Sequence, residues 1–101
     1  MNPSEIESLH GYAKDFLNAV ERPITPDVFR AYVRNLEEDI ATLSDTDAAT
    51  RIRAALVALR GCDYVLRRDP EMKNNVVLPA VEKLVRAIGN EIRPGKPDTA
   101  I

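Results

Sequence analysis

The stretch TDAATRIRAALVALRGCDYVLRR, residues 46–68, decides the fold. Read as one helix at about 100° per residue with Arg53 at zero, it puts Arg60 near −20°, Arg67 near −40°, Asp63 near −80° and Arg68 near +60°. Every other residue from Ile52 to Leu66 is uncharged. The charge-free arc is then about 220°, where an ordinary surface helix hides about 100° or a little more. Such a helix needs cover on two sides, its own fold on one and a second copy or another protein on the other.

Working outward, the preceding segment has a clear start. Thr25 can cap, Pro26 suits the first helical position, Asp27 complements the helix dipole, and Ile24 can staple to Phe29. Its apolar stripe is Phe29, Tyr32 or Val33, Leu36, Ile40 and Leu43, and Ser44, Asp45 and Thr46 all offer caps to the helix that follows. The first segment opens on Ser4-Glu5-Ile6-Glu7, a capping box, and continues with Ile6, Leu9, Ala13, Phe16, Leu17 and Val20 at helical spacing until Pro23 stops it. On the other side, Asp69-Pro70-Glu71 reads as a new cap and first turn, and Val77, Val81, Leu84, Val85, Ile88 and Ile92 form the last stripe. Pro79 either lies in the first turn of that helix or kinks a longer one. Pro94, Gly95 and Pro97 end it.

No stretch alternates with period two, and the links between segments are short, which makes sequential helices antiparallel neighbours. The expectation is an all-α, up-down-up-down four-helix bundle with helices over about 4–21, 25–43, 46–68 and 75–93, and a short turn or kink at 70–79. Residues 1–93 form a single helical domain and 94–101 a flexible C-terminal tail. With 101 residues, 45% hydrophobic and 30% charged, the chain is the size and composition of one soluble domain. Its longest apolar runs are far too short for a membrane span, and Met1–Val20 carries acids and a lysine inside its helical pattern, unlike a signal peptide. A cytoplasmic protein with no membrane partner is expected.

The net charge of −2 hides an asymmetry: residues 1–48 hold ten acids and four bases, residues 49–101 six acids and ten bases. The halves attract, within one chain or between chains. Arg53, Arg60 and Arg67 recur every seven residues on one side of the third helix, with Arg86 and Arg93 repeating the interval on the fourth. Such a ladder can follow a phosphate backbone. The acidic overall charge and the lack of interleaved aromatics favour a solvated or protein-binding face instead.

Ala54, Val57, Ala58, Gly61 and Val65 form the uncharged face. Small residues at spacings of three and four allow close backbone approach, and a glycine inside a helix costs up to about 1 kcal/mol against alanine, so a compensating contact is expected there. Either a protein interface or close packing inside the monomer supplies it.

Chemistry-bearing residues are few. His10, the single histidine, reads as a surface residue. Four-helix phosphotransfer domains place a reactive His before a fixed Lys and Gly, but here Gly11 follows at once, Ala13 stands where Lys is expected and Lys14 comes one residue late. Cys62, the single cysteine, reads as a small core residue. One His and one Cys do not make the usual zinc or di-iron patterns, and four unclustered glycines make neither a phosphate loop nor a dinucleotide fingerprint. No cofactor, metal or catalytic residue is expected. Thr99-Ala100-Ile101 has the form that strand-addition domains capture, though a short match of this kind arises by chance. The expected function is that of a small non-enzymatic helical protein acting through protein–protein contacts, as a self-associating adaptor, inhibitor or accessory subunit, with a homodimer as the first partner. The alternative is nucleic-acid binding along Arg53, Arg60 and Arg67.

Overall fold

The computed structural model describes residues 3–92, and the side chains of residues 5–92; the expected tail at 94–101 and Arg93 lie outside the described residues. Those residues form α1 (Pro3–Glu21), α2 (Pro26–Ala41), α3 (Thr46–Val57), α4 (Cys62–Arg68), a 3-10 turn (Pro70–Met72), a π-helical turn (Lys73–Val77) and α5 (Leu78–Ile92). No strand occurs among them.

The caps explain the boundaries. Thr25 Oγ1 accepts from the Val28 amide at 3.2 Å, and Pro26 fills the first position of α2, where its missing N–H costs nothing. Asp45 is the residue that caps α3, its Oδ1 accepting from the amides of Asp47 and Ala48 at 3.1 Å each. α1 begins at Pro3, so Ser4 lies inside the helix and not at its cap.

The unbroken helix expected over 46–68 is two helices. After Val57 the chain tightens into i→i+3 bonds, with the amides of Leu59, Arg60 and Cys62 donating to the carbonyls of Leu56, Val57 and Leu59. Gly61 then adopts φ +90°, the left-handed region that glycine enters without a Cβ penalty, and α4 starts. Gly61 is a helix stop, so the compensation expected for a mid-helix glycine is not required. The angular arc computed for 46–68 as one helix does not survive the break.

Pro79 accounts for the second irregularity. With no N–H it cannot bond to Asn75, and the chain preceding it widens, the Leu78 amide reaching back five residues to the Lys73 carbonyl. α5 therefore starts at Leu78 and not near 75, with Pro79 harmless in its first turn.

The helices pack compactly around one core. α1 and α5 share the most extensive contact, and α3 touches both α5 and α2. Ile6, Leu9, Ala13, Phe16 and Val20 from α1 meet Phe29, Leu36, Ile40, Ile52, Leu56, Val81, Leu84 and Ile88. Phe16 lies 5.0 Å from Phe29 and stacks on Tyr32 at 4.9 Å between ring centroids, a geometry that adds to plain burial. Two long-range tethers hold the links: Ser44 donates from its amide and its hydroxyl to Glu5, at 3.3 and 3.2 Å, and Lys73 Nζ donates to the Arg22 carbonyl at 3.0 Å. The molecule measures 46 × 27 × 19 Å. At about 10–12 Å per helix the thin dimension holds two layers, so each helix keeps one face outward.

Candidate interaction surface

The outward face of α3 is set by two salt bridges on its flanks. On one side Arg51 forks onto Glu91 of α5, Nε to Oε2 at 2.6 Å and Nη2 to Oε1 at 2.7 Å. On the other, Arg60, in the turn after α3, reaches Glu37 of α2 at 3.2 Å. Hydrogen bonding to Glu91 holds the Arg51 guanidinium above its ordinary value, and the fork pairs the charge on that flank. At about 100° per residue Thr46, Thr50, Arg53, Ala54 and Val57 fall within about 100° of one another, opposite buried Ala48, Ile52 and Ala55. All five are exposed, Val57 at 52%.

The strip between the bridges is thus threonine, alanine and valine, with Arg53 its one charge and Asp47 at its edge. Other helices turn a different face outward. Glu7, Lys14, Asp15 and Glu21 are exposed on α1, Asp27, Arg30, Arg34, Glu38 and Asp39 on α2, and Glu82, Lys83 and Arg86 on α5. α3 also exposes Asp47, Arg51 and Arg53, but its strip of Thr46, Thr50, Arg53, Ala54 and Val57 carries a single charge.

The structure brings together four of the five residues expected to form an interface. Ala54, Val57, Ala58 and Gly61 are all exposed along α3 and the turn that ends it. Val65 sits beyond the break on α4, half-buried and packed on the core. The arginine ladder does not form a single line. Arg60 is engaged by Glu37, and Arg67 is carried onto α4, past the turn of direction at Gly61. Arg53 makes no ion pair among the described residues. On α4, Tyr64 is 58% exposed, with the Arg68 guanidinium 5.4 Å from its ring centroid.

Sequence reasoning missed the α1–α5 groove. It has a volume of about 830 Å³ and is lined by His10, Leu17, Glu82, Val85, Arg86, Gly89, Asn90 and Ile92. His10 is not a plain surface residue: it is half-buried, and its Nε2 lies 3.1 Å from where a Cβ on Gly89 would stand. Burial, and then Lys14, push the imidazole below its usual value, which favours its neutral form. The signal in the sequence was a second glycine inside a helical stripe, but the residue it accommodates is 79 positions away. A smaller groove of about 300 Å³ lies between α2 and the break, its lining including Phe29, Val33 and Leu59 together with Arg30, Arg34 and Asp63.

Cys62 is buried, its Sγ 3.6 Å from the Ala58 carbonyl oxygen, and burial followed by Asp63 pushes the thiol up, away from the reactive thiolate. Among the described residues no three His, Cys, Asp or Glu side chains gather as metal ligands would, and no helix is long and apolar enough to cross a membrane. Comparison with protein-family models, curated proteins and solved structures finds no match to this chain.

Proposed function

We propose that this chain is an up-down-up-down helical bundle that works through protein–protein contacts, as a self-associating adaptor, inhibitor or accessory subunit, using the outer face of α3. One observation carries the reading: Val57, 52% exposed, stands among exposed Thr50, Ala54 and Ala58 on a helix face flanked by the Arg51–Glu91 and Arg60–Glu37 ion pairs, with Arg53 the one charge within it. Apolar and small side chains permit close approach of another helix, and removing them from water is the usual driving force of association. A single 12-residue helix, about 18 Å long, buries less than the roughly 1,600 Å² of a standard interface, so self-association through this face alone is weak and concentration-dependent.

Phosphate binding along the arginines is the weaker reading, because Arg60 is already paired and Arg53 stands apart from Arg67. Light scattering on a size-exclusion column, with absorbance at 260 and 280 nm, tests both. Mass should climb from 11.2 kDa toward twice that value as loading rises. Val57→Glu should hold the chain at the monomer mass without changing its helix content. A Val57→Glu variant that associates like the parent would remove this face from the reading. A 260/280 ratio that starts high and falls with salt would instead support the nucleic-acid alternative.

A further inference from the structure

At the break at Gly61 the apolar stripe fits a second backbone, an unbroken helix, as well as the one observed. Ile52, Leu56, Leu59, Cys62 and Leu66 follow one another at spacings of four, three, three and four, the stripe of an uninterrupted helix. In the broken chain all five are nonetheless buried. What separates the two arrangements is the turn after Val57 and one dihedral, the φ of +90° at Gly61. No atom lies within 4 Å of where a Cβ on Gly61 would stand, so no packed side chain fixes the turn from outside.

Two ion pairs hold it from the sides. Arg60, just before the glycine, bonds Glu37 at 3.2 Å, and Asp63, just after it, bonds Arg30 at 3.3 Å. One member of each pair, Glu37 as acceptor and Arg30 as donor, sits on α2, and all four side chains are at least partly exposed. Exposed pairs of this kind are weak and screened by salt.

We propose that Gly61 is a hinge through which two copies of this chain exchange α4 and α5, residues 46–68 straightening into one helix in each. The exchanged dimer rebuilds the same core contacts, α5 of one copy lying on α1 and α3 of the other, so the monomer and dimer differ mainly at the hinge. Glycine makes the bent form cheap: it enters φ +90° freely and is a poor helix residue, and both properties favour the break. The Arg60–Glu37 and Arg30–Asp63 clamp adds to that bias. The exchange does not draw on the outer face of α3, since Val57 is 52% exposed and is not among the core residues.

The test opens the chain at about 1 mM in mild denaturant, refolds it, and measures mass by light scattering after dilution. Gly61→Ala penalises the bent hinge and favours the straight helix. With two hinges per dimer, each worth about tenfold, the dimer constant should rise about 100-fold. Gly61→Asn, which tolerates the left-handed region, should raise it far less. The Arg60→Ala/Asp63→Ala variant, which keeps the glycine and removes the clamp, should also increase the dimer yield, and so covers the case in which Gly61→Ala folds poorly. Dimers made by exchange should persist for hours after dilution, and adding Val57→Glu to Gly61→Ala should leave them intact. Two results overturn the proposal: Gly61→Ala and the clamp variant both monomeric after opening and refolding, or a Gly61→Ala dimer that falls apart on dilution or is abolished by Val57→Glu.

Discussion

Replacing Gly89 by alanine should give almost none of the stability that a helical glycine-to-alanine change normally brings. Gly89 lies inside α5, where alanine is worth about 0.8–1 kcal/mol over glycine. Against that gain stands His10. The new Cβ would sit 3.1 Å from Nε2 and 3.7 and 3.8 Å from two ring carbons, and only the first distance is shorter than an ordinary contact. The ring must retreat by a few tenths of an ångström from a half-buried seat between α1 and α5, at a cost of about 1 kcal/mol, within the range of mild overpacking. The two effects cancel to near zero. Gly11 is the control, since it lies inside α1 with nothing within 4 Å of its Cβ position, and Gly11→Ala should raise stability by the full increment. For a chain of this length that increment is about 4–5 °C in Tm. The assay is a double-mutant cycle by urea unfolding: Gly89→Ala in the parent and in a His10→Ala background. In the second background the full helical gain should reappear, leaving a coupling of about 1 kcal/mol between the sites. If Gly89→Ala stabilises as much as Gly11→Ala in the parent and the cycle is additive, the imidazole does not rest on Gly89.

Gly61→Ala should lower stability by about 1 kcal/mol at micromolar concentration, since it forces an L-residue to φ +90°, and Gly61→Asn should cost less although asparagine is the poorer helix former; the reverse order in thermal melts would mean a straight helix through this position. Arg51→Met should be more damaging than Glu91→Gln, because the Glu91 side chain is only 10% exposed and is left charged without a partner, whereas Arg51, 58% exposed, returns to water. Equal losses in chemical denaturation would contradict that asymmetry. His10 has its pKa lowered in the folded chain, so below its unfolded value of about 6.5 the unfolded state binds more protons and stability falls as pH drops; above that value its contribution is complete. His10→Gln should flatten the fall between pH 7.5 and 5.5, and an unchanged slope would assign it to other groups.

The features legible in the sequence are those carried by neighbours. Thr25-Pro26-Asp27 spelled out the start of α2, and Phe29, Leu36 and Ile40 its buried stripe, because capping and periodicity are decided within one or two turns. Pro79 announced an irregularity whose form, a five-residue widening and not a kink, depends on how Val77 and Val81 both reach the core. Contacts between distant residues left weaker traces. Nothing local to His10 shows that it lies over Gly89, and nothing near Arg60 shows that Glu37 will take its charge. The exposed face of α3 was half legible: the run of uncharged residues is there to read, but which of them face outward depends on where α2 and α5 pack.

The break at Gly61 belongs to a third kind. Arg60-Gly61-Cys62 is a reasonable stop signal, a basic residue in the last turn, then glycine, then an apolar residue. It was outweighed because the apolar spacing runs through it without a fault. Had Cys62 and Leu66 been out of phase with Ile52, Leu56 and Leu59, a straight helix would have left them facing water and periodicity alone would have exposed the stop. Being in phase, they are buried in the bent chain and would also share one face of a straight helix. The hydrophobic term, the largest in folding, therefore does not discriminate between bent and straight, and the choice passes to small terms: one glycine dihedral and two solvent-exposed ion pairs. A preference resting on such terms amounts to a few kcal/mol and is open to reversal by a single side chain. The degeneracy that hides the break from the sequence is thus the same physical property that would let the hinge at Gly61 open.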